Sequence, residues 1–83
     1  MAEWIEIPAH RILRLTYREF WEGFDVIIPN GERVSIQELI ERNWDSWSHD
    51  YIYIRKTDAK QFKAPQYHRW SEDWNHVFFL QEM

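Results

Sequence analysis

Apolar and polar positions change period several times along this 83-residue chain, and each change marks an element. Trp4 to Ile7 is short and β-prone, and Pro8 interrupts it. After it, Leu13, Tyr17, Phe20 and Phe24 recur at spacings of four, three and four, which suits a helix, whereas Leu13, Leu15 and Tyr17 alternate as strand residues do. The longer pattern predicts a helix over 9–21. Pro8 then falls in the first turn, where its missing N–H costs nothing, and Gly23 sits just past the end.

Two β-branched runs, 25–28 and 33–36, flank Pro29-Asn30-Gly31-Glu32. Asn-Gly supplies the positive φ angles of tight hairpin turns, so a hairpin is predicted here. Ser35 is followed three residues later by Glu38, the signature of a capping box, and a helix should run over 36–43. Ile36, Leu39, Ile40, Asn43 or Trp44, and Trp47 then share one face, which is expected to be core. Tyr51-Ile52-Tyr53-Ile54 reads as a strand with its tyrosines on one side, a side that an exposed edge would leave open. The polar stretch 56–66 contains Pro65 and has no clean period, so a long loop is expected. Ser71 can cap a single helical turn over 71–74, and 76–80 is a strongly apolar strand suited to the middle of a sheet. Together these elements predict one α+β domain over 1–83. Its sheet should be mainly antiparallel, with three to five strands and one or two helices on one face.

Composition changes this picture in one respect. Six Trp, four Tyr and five Phe are more ring than a small core easily encloses, because Trp is large and its N–H needs a partner when buried. Two or three indoles are therefore expected at the surface, where they would bind. The absence of Cys excludes disulfides, thiolate nucleophiles and Cys-based zinc sites, and two Gly are too few for a phosphate-binding loop or a dinucleotide fingerprint. No 18-residue apolar run and no basic, apolar leader is found, so a soluble, cytoplasmic protein without membrane partners is expected. The net charge of −4 is uneven: residues 1–41 carry four Arg against eight acids, and 42–83 balance at six each.

Two clusters are candidates for function. The first is Trp44 with Trp47, flanked by acids and followed by Tyr51 and Tyr53; rigid rings among polar groups resemble the centre of a protein interface. The second is Arg55, Lys56, Lys60, Phe62, Lys63, Tyr67, Arg69 and Trp70, in which cations suit phosphates and rings suit stacked bases of RNA or single-stranded DNA. Ser46, His49 and Asp50 are too close in sequence to assume the geometry of a catalytic triad. His10, His49, His68 and His76 lack metal-ligand spacing, and Glu19, Glu22 and Asp25 read as a solvated helix face. No catalytic residue, metal site or cofactor is predicted.

Glu6-Ile7-Pro8-Ala9-His10-Arg11-Ile12-Leu13 resembles an Ile-Pro-x-His-Arg-Ile strand of some small uncharacterised archaeal domains. The likeness spans eight residues and lies at the opposite end of the chain. It implies only that this stretch is strand rather than helix. The expectation for function is a non-enzymatic protein-binding module, such as an inhibitor, adaptor or accessory subunit of a phage or mobile element, acting through Trp44, Trp47, Tyr51 and Tyr53. The alternative is binding of single-stranded nucleic acid through 55–70. A homodimer is expected if the tyrosine-bearing strand is an open edge.

Overall fold

Between His10 and Thr16 the alternating pattern prevails over the helical one: these residues form a strand, and the helix predicted over 9–21 begins only at Tyr17. An extended chain lets Leu13 and Leu15 enter the core side by side, where both are buried. Thr16 then starts the helix. Its hydroxyl accepts from the Glu19 N–H at 3.2 Å, and the Glu19 carboxylate accepts from the Thr16 N–H at 2.8 Å, closing a capping box.

The computed structural model describes residues 2–7, 10–65 and 77–83, without the side chains at 5–7, 10 and 77. In chain order the elements are β1 (Glu3–Ile7), β2 (His10–Thr16), α1 (Tyr17–Gly23), β3 (Phe24–Ile27), β4 (Arg33–Ser35), α2 (Ile36–Glu41), β5 (Ile52–Arg55), β6 (Gln61–Lys63) and β7 (Val77–Glu82). The positions expected to open a first helical turn at Pro8 and a helical turn over 71–74 lie outside the described residues, as does His76.

The strands form one sheet in the order β1-β2-β7-β6-β5-β3-β4, and every neighbouring pair is antiparallel. The fold is α+β, but the described residues form seven strands rather than three to five. Two of the extra strands come from stretches read as helix and loop. Residues 10–16 supply β2, and β6 lies inside the expected loop 56–66, because Phe62 is paired with Tyr53 and drawn into the core.

Register explains which face is dry. Leu13 lies opposite Leu80, Leu15 opposite Phe78, Val26 opposite both Val34 and Tyr53, and Tyr53 opposite Phe62. Directly opposed residues point to the same side of a sheet, so these side chains form one apolar surface. Onto it pack Phe20 from α1 and Ile36 and Leu39 from α2, each fully shielded. Phe20 stacks on Phe78 with centroids 4.3 Å apart and planes 11° off parallel. Burying a side chain of this kind contributes about 1.5–3 kcal/mol.

The hairpin forms where predicted, with a different turn. Only Gly31 takes a positive φ, +91°, while Asn30 does not. Pro29 favours the first central position of a type I turn, and the Gly31 N–H donates to the Ile28 carbonyl at 2.8 Å. Asn30 acts through its side chain, whose oxygen accepts from the Glu32 N–H at 2.8 Å. In α2, Ser35 accepts from the Glu38 N–H at 3.0 Å, as the sequence implies, but the Glu38 carboxylate turns to Arg42 at 2.6 Å. The helix stops in a Schellman motif. Asn43 adopts φ +60°, its N–H donates to Ile40, and the Trp44 N–H donates to Leu39.

Candidate functional site

The two helices bury one stripe each and leave a second stripe in water. In α1, Phe20 points inward while Tyr17 and Trp21, one turn apart, are 43 % and 39 % exposed. In α2, Ile36 and Leu39 point inward while Ile40 is 39 % exposed. Tyr17, Trp21 and Ile40 line an open groove of about 620 Å³, completed by Arg18, Glu22 and Gln37. Arg18 and Glu22 pair with each other across one turn at 3.2 Å, so the groove's own charges are balanced.

Trp44 stands just past α2 and is 46 % exposed. The Schellman motif fixes its backbone, and the Arg42 guanidinium lies 5.0 Å from its ring centroid. Arg42 is itself held, donating to Glu38 at 2.6 Å and to Glu32 at 3.1 Å. The hydrogen bond to Glu32, reinforced by the charge of both carboxylates, pushes its proton affinity above the ordinary arginine value. One face of this indole is therefore buttressed by a cation that is already saturated.

The four residues expected to form a contact patch do not do so together. Trp44 is exposed, but Trp47 is half-buried against the core and its Nε1 donates to the Phe79 carbonyl at 3.0 Å. Tyr51 is half-buried, edge-on to Tyr53 at 6.2 Å. Tyr53 is completely buried, and its hydroxyl donates to the Ser46 carbonyl and accepts from the Ser48 N–H, both at 2.9 Å. Tyr53 faces inward because it is in register with Val26 and Phe62. Its ring has no exposed surface. Nor does β5 expose an edge for dimerisation, since it is paired on both sides, with β3 and β6. Among the described residues, the sheet's edges are β1 and β4.

The basic segment is also largely engaged. Phe62 is fully buried and cannot stack a base. Arg55 makes a two-point contact with Asp58, at 3.0 and 2.7 Å, and covers the rings of Trp4 and Phe62. Lys60 pairs with Glu82 at 3.1 Å, and Lys56 lies 3.9 Å from Asp25. Lys63 is exposed. Tyr67, Arg69 and Trp70 lie outside the described residues.

Tyr17 and Trp21 were missed as surface residues because the first helix was placed too early, while Ile40 and Trp44, expected on the core face of α2, are instead 39 % and 46 % exposed. The signal for the first helix was present. Thr16-Tyr17-Arg18-Glu19 has the same cap spacing as Ser35 to Glu38, and it marks a helix that starts at Tyr17 and ends before Phe24 of β3. Among the described residues no three His, Asp or Glu converge as metal ligands, and no helix is long and apolar enough to cross a membrane. Compared with protein-family profiles, with curated proteins and with solved structures, the chain matches none.

Proposed function

We propose that this chain is a non-enzymatic protein-binding module whose contact surface is the helix layer, with Tyr17, Trp21, Ile40 and Trp44 as anchors. One observation carries this reading: Tyr17, Trp21 and Ile40 are partly exposed along a groove between two short helices whose other stripes are used by the core, and Trp44 is exposed just past the second helix. Large rings left exposed at a concave surface are what partner anchors require, since they bring much apolar area and little side-chain entropy. The geometry of Trp44 adds to this, because an indole fixed before binding loses less freedom on contact. Trp47, Tyr51 and Tyr53 belong to or pack against the core and are not assigned to the contact surface.

The test places a photo-crosslinking side chain at Gln37, on the groove, and in a second protein at Lys63, on β6. Ultraviolet irradiation in extract of the cells that express the chain should yield a discrete protein adduct from the first position and none from the second. Trp21→Ala with Trp44→Ala should abolish that adduct while shifting the thermal midpoint by no more than a few degrees. Equal adducts from both positions would overturn the reading. Oligonucleotide quenching of Trp emission that fades with salt, without any protein adduct, would replace it by nucleic-acid binding.

A further inference from the structure

Resting on that reading, we infer that the groove between α1 and α2 receives a basic amphipathic helix of its partner, with the apolar stripe on Tyr17, Trp21 and Ile40 and the cations against the carboxylates that border α2. The inference comes from charge placed beside an apolar floor. Residues 17–45, which contain both helices, hold seven acids against three bases, a balance of −4. That equals the net charge of the whole chain, so the remaining residues are neutral in sum.

Within this layer the cations are spent. Arg18 is paired with Glu22, Arg33 with Asp25, and Arg42 with both Glu32 and Glu38. Glu41 and Asp45 are exposed and have no ion pair among the described residues. Glu41 follows Gln37 by one helical turn, and Gln37 lines the groove. Glu41 also directly follows Ile40, so its backbone position adjoins two lining residues of the groove. An occupant with apolar residues down its middle and Lys or Arg beside them satisfies both features. An acidic or neutral one leaves the rim charges facing like charge or nothing.

The form of the occupant follows from the form of the site. An added strand requires an open sheet edge, and the groove is bounded by helices instead. At 1.5 Å per residue, the seven-residue α1 gives a floor about 10 Å long, which seats two turns of helix and its anchors at i, i+3 or i+4, and i+7.

The probe is a fluorescein-labelled amphipathic peptide of about four turns, with Leu on one face and Lys on the other. Its twin carries Glu in place of every Lys. Anisotropy at low salt should show the Lys peptide binding at least about tenfold more tightly than the Glu peptide, with the difference shrinking as ions screen the rim. Ile40→Ser should remove binding, Glu41→Lys with Asp45→Lys should erase the preference, and Lys63→Glu should change affinity by less than about twofold. Affinity that follows net charge wherever the charge is placed overturns the inference. Equal binding of both peptides, lost in Ile40→Ser, overturns the charge specification while leaving a protein-binding groove in place. Binding of neither peptide, with no adduct at Gln37, removes the groove and the protein-binding reading together.

Discussion

The indole of Trp47 donates its N–H to the main-chain carbonyl of Phe79, 32 positions further along the chain, at 3.0 Å. Its place in the ladder explains why a side chain is needed there. Met83 donates to Gln61, and the register pairs Gln81 with Lys63, so two residues further on Pro65 comes opposite Phe79. Proline has no N–H to give. Trp47 supplies the donor from the loop after α2 and in doing so ties that loop to β7. Trp47→Phe should lower stability by about 1 kcal/mol through the lost hydrogen bond. Trp47→Ala should lower it by about 3 kcal/mol by also leaving a void. Urea unfolding reads both. An unchanged midpoint for Trp47→Ala would show the ring to be idle in folding.

Tyr53 closes the same loop from the other end. Its hydroxyl bridges Ser46 and Ser48, so Tyr53→Phe should strand a buried carbonyl and an amide and lower stability by about 1–2 kcal/mol. Burial pushes its phenol well above the usual 10.0. The native state thus keeps the proton that the unfolded chain releases, and the associated stability is complete below pH 10.0 and declines above it. Phenolate absorbance should show Tyr53 ionising only together with alkaline unfolding, and Tyr53→Phe should remove that component.

Three backbone positions with positive φ respond differently to substitution. Ala59, at +60° in the turn between β5 and β6, holds a side chain where an L-residue is strained by about 1–2 kcal/mol. Ala59→Gly should gain about 0.5 kcal/mol net, after the larger entropy of the unfolded glycine chain is set against the relief. Gly31→Ala, at +91°, and Asn43→Ala, at +60°, should each lose about 1 kcal/mol. Thermal melts of the three proteins should therefore move in opposite directions.

Acid should act through the Arg55–Asp58 pair. The hydrogen bonds from Arg55, aided by the Lys60 N–H, hold the Asp58 carboxyl at about 2, below the ordinary 3.8. A depressed carboxyl stabilises the fold above its unfolded value and gives that up as pH falls from 3.8 towards about 2. Asp58→Asn should flatten the stability profile in this window and leave its shape near neutrality unchanged. A profile identical to that of the parent would exclude the pair as an acid-sensitive contact.

The parts legible in the sequence were those that short-range chemistry decides. The hairpin and α2 were found because Asn-Gly, the Ser35 cap and the β-branched runs act within a few residues. The apolar strand expected over 76–80 appears as β7, inside the sheet between β2 and β6. Two or three surface indoles were expected from ring count alone, and Trp21 and Trp44 reach the surface. What was misread depended on distant partners. Residues 10–16 carry both periods, and only pairing with β7, more than sixty positions later, selects the strand. Three-residue β6 has no pattern of its own and exists because Phe62 finds Tyr53. The burial of Tyr53 in β5 likewise comes from cross-strand register, which no local spacing encodes.

The placement of β7 constrains how the molecule comes into being. A polypeptide leaves the ribosome from its N-terminus, so β1 and β2 emerge first and the β3–β4–β5–β6 group later, while the strand that hydrogen-bonds to both emerges after all of them. Until then β2 and β6 lack the strand that joins them, and long-range pairing of this kind folds slowly.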